Sequence, residues 1–559
     1  MVIGARKLHG GLASALALAW ALLGASAGAE TAPGVRGQIA VAIPEAGALL
    51  GPWAYGLGAS QALDAVYSAN GNAPLWSRDG RATPQALTVL GELKNAEAYG
   101  LEVKDYGAAD IAGVISAPAS PGAADDQRWA RFDVKMSAAA LRFASDLHYG
   151  RVSPQTSGFK LREDRPKFDF AAALRNLAGA QDVAAVLAGT EPQFYHYKLL
   201  KDALARYRTL AEQPAGRQLP AVPRPVKPGD AYPGAAVLRR FLAATGDLPL
   251  DTASDDLTLD PALSAAVRHF QMRHGLEQNG QINKTTLAVM NAPPALLVRK
   301  IVLTLERWRW LTPFKTPPII VNIPQFKLFA FRTVEDRFAD ILQMDVIVGR
   351  TYPRTQTPVF EGDMRYVILR PYWDVPFSIT QHEMLPKIRA HPAYLEAQHL
   401  EIAGGPDDSS PALPATPENL SLLTSGKLRL RQKPGEDNSL GLAKFIFPNN
   451  YNVYLHGTPA HGLFKEPVRA FSHGCIRVSD PLTLAALVLK DAKGDWTRDK
   501  IEAAMNGSTS VRVDLSRPIN VLILYATALA TEAGPVFFFD DIYGYDNKLE
   551  QQLGLAPLS

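Results

Sequence analysis

Cysteine is almost absent: one residue, Cys475, among 559. A lone cysteine excludes any disulfide within the chain. Charge of one sign is also scarce. Lys plus Arg is 58 and Asp plus Glu is 55, a net charge of +3 with no dense basic run, so composition gives no reason to expect nucleic acid. The zinc-peptidase pattern H-E-x-x-H is missing, because "HEMLP" (382–386) carries Pro386 where the second histidine should stand. Long apolar runs are missing beyond the one from Leu12 to Leu23. That run follows Arg6 and Lys7 and precedes the small residues "GASAGAE". It reads as a signal peptide over residues 1–29, too short for a comfortable membrane span. The mature chain is therefore expected to be exported, with no stable membrane span after cleavage. Export makes an unpaired thiol unusual, since cysteines in oxidising compartments are normally bridged.

What is present is a 47% hydrophobic chain, long enough for several cores. The Gly/Ala/Pro-rich segment 30–55 reads as a flexible leader. Helical periodicity then runs to about residue 231, a helical scaffold. It includes "QALTVLGELKNA" (85–96), with Leu87, Leu90 and Leu93 on one face, and "SAAALRFASDLHYG" (137–150). A Pro-rich stretch, 216–234, reads as a linker. A small three-helix unit over 232–295 follows, its main helix opened by the Asp260–Pro261 cap. A connecting segment, 296–315, leads into alternating apolar and polar residues from 316 to 546, a β-rich domain. Residues 377–443 interrupt it as an inserted cap, and 547–559 form a C-terminal tail. The fold class is multidomain α+β.

Around Cys475 the sequence is "RAFSHGCIRVSDP" (469–481). A reactive thiol needs a base, a group that orients the base, and donors for the oxyanion formed when a carbonyl is attacked. His456, His461 and His473 are candidate bases. The Gly474 and Cys475 N–H groups are candidate oxyanion donors, and Arg477 suits a carboxylate. A zinc site made of His456, His473 and Cys475 is the chemical rival, but no carboxylate ligand or base stands nearby in sequence. No metal and no cofactor are expected.

The segment "HGTPAHGLFKEPVRAFSHGCIRVSDP" (456–481) resembles the L,D-transpeptidase (YkuD-type) signature. "LERWRWL" (305–311), "VGRTYPRTQTP" (348–358), "PYWDVPFSI" (371–379), "APLWSRDG" and "YGLEVKDY" are similar to segments of the large Gram-negative members. "AVRHFQMRHGLEQNGQINKTTLAVMN" (266–291) resembles a peptidoglycan-binding domain. The resemblance implies a YkuD-like β-sandwich and a periplasmic enzyme acting on peptidoglycan stem peptides as donor and acceptor. Cys475 would be the nucleophile and His456 the base, oriented by the Gly457 carbonyl. His473, Gly474 and Arg477 would shape the oxyanion and substrate site, supported by Ser472, with Tyr352 and Trp373 lining the groove. Residues 232–295 would bind glycan or stem peptide, or only brace the domain. L,D-carboxypeptidase activity and a non-enzymatic wall-binding role are the alternatives.

Overall fold

The computed structural model describes residues 34–50, 56–119, 122–162, 167–212, 218–249, 255–337, 340–352 and 355–558. The expected signal peptide lies outside them. Part of the expected flexible leader is instead the helix Val35–Leu50, which packs on the helix Ala123–Tyr149 and buries Ile39, Ala42 and Leu50. Its apolar side chains gain from that contact what its composition alone does not promise. Among the described residues no single helix is long and apolar enough to cross a membrane.

The N-terminal region is helical, built around Ala123–Tyr149. That helix is buried over most of its circumference, including Leu141, Phe143, Ala144 and Leu147. In the helix Pro84–Lys94, Leu90 and Leu93 face the core as the periodicity predicts, but Leu87 is 51% exposed. Ala86 and Val89 take its place, because residues three and four apart share a helical face. One polar group holds this region together. The buried Asp133 carboxylate accepts hydrogen bonds from Leu75 N–H (2.6 Å), Trp76 N–H (3.0 Å), Ser77 Oγ (2.8 Å) and Tyr67 Oη (2.9 Å). It ties the turn before the first small hairpin to the central helix.

The 218–234 part of the expected linker is packed, not free: Leu219, Val222 and Val226 are buried, and Val226 bridges Ile282. The unit that follows has three helices, Ala235–Ala244, Pro261–Arg273 and Lys284–Met290, and Asp260 caps the second through Leu263 N–H at 2.8 Å. Next comes the helix Pro294–Arg309, whose charged residues Glu306, Arg307 and Arg309 are buried with fixed partners. Glu306 accepts from Val152 N–H (2.9 Å), Arg307 pairs with Asp546, and Arg309 reaches the Tyr99 carbonyl. "LERWRWL" is thus an interdomain joint, with Trp308 and Trp310 buried beside it. The last residues are also docked: the helix Tyr545–Gln552 buries Leu549, and Arg151 holds the Leu553 carbonyl at 3.0 Å.

The C-terminal region is a closed mixed barrel rather than the expected sandwich. Its strands are β1 (Ile319–Asn322), β2 (Lys327–Ala330), β3 (Leu342–Gly349), β4 (Phe360–Leu369), β5 (Ala443–Ile446), β6 (Leu455–His456), β7 (Ala470–Ser472), β8 (Ile476–Val478) and β9 (Val511–Leu524). Eight of them run β3-β8-β6-β5-β4-β9-β1-β2, and β2 pairs back onto β3, which leaves no open edge in the ring. β7 adds in parallel to β3. β9 runs through Pro518 as one strand, with a register shift between Asp514 and Ile519 where Pro518 has no N–H to give.

The insertion between β4 and β5 carries its own sheet, ordered Trp373–Asp374, Arg429–Gln432, Leu400–Ala403 and Ala412–Leu413. It also has its own apolar cluster, including Ile388, Ile402, Leu423 and Leu430. The segment expected as loop-rich cap is thus an ordered subdomain.

Replacing Asp133 by alanine strands four buried donors, each worth about 1–3 kcal/mol when unsatisfied. Calorimetry is expected to show the helical region losing at least about 3 kcal/mol, while Asp133→Asn, which keeps one acceptor oxygen, loses less.

Candidate active site

The site grows from strand alternation. β6 and β8 are parallel neighbours with Leu455 opposite Ile476 and His456 opposite Arg477, and β5 sets Phe445 opposite Leu455 and Lys444 opposite His456. Cross-strand partners share a face and successive residues alternate. Phe445, Leu455 and Ile476 therefore form an apolar rung filling the barrel interior, where all are buried. Lys444, His456 and Arg477 form the next rung on the outer face. Two residues earlier, just before these strands begin, Tyr454 and Cys475 join the same face.

Cys475 sits in the short loop from β7 to β8, which crosses the end of β3. Three contacts hold that loop. Ser472 Oγ bonds the Cys475 carbonyl and accepts from Gly474 N–H at 3.1 Å. Gly474 has φ 118°, a conformation that disfavours side chains, and its carbonyl accepts from Thr357 Oγ1 at 2.8 Å. Thr357 Oγ1 in turn accepts from Gly349 N–H at 2.9 Å. A Cβ on Gly349 would lie 2.0 Å from the Thr355 carbonyl, so the loop closes only over glycine.

His456 is buried, and its Nδ1 donates to the Gly457 carbonyl at 2.6 Å. That bond leaves Nε2 as the lone-pair nitrogen. Burial, then the Arg477 charge, hold the ring down at about 3, so it is neutral near pH 7 and able to accept a proton. Burial pushes the Cys475 thiol up, opposed by hydrogen bonds from Tyr454 and by the Lys444 and Arg477 charges. The resting pair is therefore thiol and imidazole, not thiolate and imidazolium. Tyr454 stands 5.6 Å from the His456 ring, centroid to centroid, and the Cys475 thiol donates to the Asn452 carbonyl at 3.5 Å.

The expected residues divide. Cys475, His456, Gly457, Arg477 and Trp373 gather on or against this face, and Ser472 supports the loop from beneath. The Gly474 N–H is committed to Ser472, so it is no free oxyanion donor; the Cys475 N–H has no partner among the described residues. His473 is exposed, and its Nε2 lies 2.8 Å from Glu383 of the inserted subdomain rather than on the thiol. Tyr352 is 72% exposed, and His461 is exposed on a 3-10 turn. Sequence reading missed Tyr454, Lys444 and Glu383. Period-2 alternation from His456 could have found Tyr454. Lys444 needs the β5–β6 register, and Glu383 needs the fold of the insertion, where it rides a π-helical turn, Thr380–Met384.

A neutral histidine with a fixed tautomer beside a lone thiol, on the outer face of a closed mixed barrel, is the equipment of a cysteine acyl-transfer enzyme. Residues 317–512 match the family model described as "L,D-transpeptidase catalytic domain" (YkuD). Residues 61–204 match "Scaffold domain" and 233–290 match "Putative peptidoglycan binding domain". The chain thus carries a YkuD L,D-transpeptidase catalytic domain together with a scaffold domain and a peptidoglycan binding domain. It is 33% identical over 263 residues to a curated protein of Haemophilus influenzae (strain ATCC 51907 / DSM 11121 / KW20 / Rd) named "Putative L,D-transpeptidase", covering 47% of this chain. The match spans half of that relative's length (50%). Among solved structures, a fused Zn-dependent amidase/peptidase/peptidoglycan-binding domain-containing protein from Clostridium acetobutylicum ATCC 824 aligns with 54% of this chain and 100% of its own. The identity is 12% and the TM-score 0.14, so that likeness carries no argument.

Two pH effects follow. Alkylation of the single thiol by iodoacetamide is expected to accelerate with pH past the ordinary thiol value of about 8.5, without a plateau near neutrality. A rate already maximal at pH 7 would show a preformed thiolate. In the unfolded chain His456 titrates near about 6.5, but in the fold only at about 3. Between these values the unfolded state binds the extra proton, so this residue's contribution to stability is complete above pH 6.5 and lost as pH falls. The barrel transition of a His456→Gln variant should depend less on pH between 7 and 4.5 by calorimetry.

Proposed function

We propose that this chain is an exported, periplasmic peptidoglycan L,D-transpeptidase that forms 3→3 cross-links. The observation that carries the reading is the shared outer face of Cys475 and His456 with Nδ1 locked on Gly457, inside the segment that matches the catalytic-domain family. His456 Nε2 takes the Cys475 proton, and the thiolate attacks the carbonyl before the terminal D-Ala of a tetrapeptide stem. The Cys475 N–H faces the developing oxyanion. As the C–N bond breaks, His456 returns the proton to the departing amine and a thioester remains. The side-chain amine of a diamino acid on a second stem then attacks the thioester, His456 accepts its proton, and the regenerated thiol takes that proton back.

The peptidoglycan binding domain would hold glycan or stem peptide near the barrel, and the insertion would act as a lid above the outer face. Carbapenem-type β-lactams would acylate Cys475 by the same attack.

Incubation with disaccharide-tetrapeptide, read by mass spectrometry beside Cys475→Ala, tests this. The expected product is a dimer lacking one D-Ala, absent from the variant. Tripeptide alone would mean water is the acceptor, an L,D-carboxypeptidase. No product from folded native protein would return the chain to a wall-binding role.

A further inference from the structure

The outer rung contains a residue that the reaction above does not use. Lys444 is the register partner of His456 on β5, on the side of β6 away from the thiol strand. Adjacent strands lie about 4.8 Å apart, so the backbones of Arg477 and Lys444 stand roughly 10 Å from each other, with His456 between them. Lys444 is half-buried, and its Nζ lies 4.2 Å from the centroid of the Tyr454 ring, the same ring that stands 5.6 Å from His456.

Among the described residues no carboxylate comes within ion-pair distance of Lys444. Asp374 and Asp408 face the same space from the insertion, but Asp374 is bound to Arg429. A lysine on an outer barrel face ordinarily extends to water or pairs with an acid. A half-buried ammonium resting on an aromatic face, without its own counter-ion, is prepared for an anion from elsewhere.

The rung also orders the reaction in space. Acyl transfer places the acyl group on the β8 thiol and the departing amine against His456 on β6. Whatever the departing residue carries beyond its amine extends toward β5. A departing terminal amino acid carries an α-carboxylate one carbon from that amine.

We propose that Lys444 is the specificity residue that binds the terminal carboxylate of the departing amino acid. This assignment rests on the acyl-transfer reading of the site. It makes the enzyme select chain ends: a stem extended past its fourth residue, or amidated there, has no charge to place on Lys444.

Equilibrium binding is measured on a Cys475→Ser background of the full-length protein, which cannot turn substrate over. The probes are disaccharide-tetrapeptide ending in a free D-Ala carboxylate and the same molecule ending in the carboxamide. Lys444→Gln is expected to weaken binding of the acid by about ten-fold and leave the amide unchanged, the size of one hydrogen bond to a charged group. Lys444→Arg should restore most of the preference, which a purely structural role would not require. Equal weakening of both probes, or no change in either, overturns the assignment. With Cys475 intact, kcat/KM should show the same acid-over-amide preference, lost in Lys444→Gln. If the native enzyme turned over neither probe, the transpeptidase reading would fall, whereas the binding comparison would still decide the role of Lys444.

Discussion

The parallel pairing of β6 with β8 is the constraint on which the site depends. A parallel neighbour cannot be reached by a tight turn, so the chain must leave β6, travel through residues 457–475 and return alongside. That excursion allows the segment before β8 to be a loop crossing the end of β3, and it sets Cys475 at the start of a strand next to the one that carries His456. A slip of one residue in either register would turn His456 or Cys475 into the barrel interior. The interior rung of Phe445, Leu455 and Ile476 opposes such a slip, because it would expose large apolar side chains and bury a cation. Apolar packing inside the barrel thereby sets the chemistry outside it.

Polarity is managed differently in the two halves of the molecule. In the helical region, two buried carboxylates are well partnered: Asp133 has its four donors, and the Asp247 carboxylate is shared by Arg273 and His269. Arg273 also reaches the Val536 carbonyl at 2.9 Å, which locks the peptidoglycan binding domain to the C-terminal region. At the active face the cations Arg477 and Lys444 have no acidic ion-pair partner among the described residues, while His456 is held neutral. Structural charges are largely paired by the fold, whereas the site keeps positive charge unpaired.

The inserted subdomain belongs to the site as much as to the periphery. Glu383 on its π-helical turn lies 2.8 Å from His473 in the loop that carries Cys475. Residue 383 lies within "HEMLP", a segment that sequence alone shows only as an incomplete metal motif.

By itself the sequence determined the helical and β-rich halves, the capped helix at Asp260 and the lone thiol in its motif, because periodicity, caps and local motif are short-range properties. The His456–Gly457 bond was implied by the family resemblance, and the structure shows it at 2.6 Å. Tertiary structure alone decided barrel closure, the docking of residues 35–50 and 545–552, and the fates of Gly474, His473 and Leu87. Each of these depends on a partner far along the chain: β3 for β2, the insertion for His473, the central helix for residues 35–50. Lys444 is the plainest case. Nothing next to it in sequence marks it, and only the β5–β6 register sets its charge beside His456.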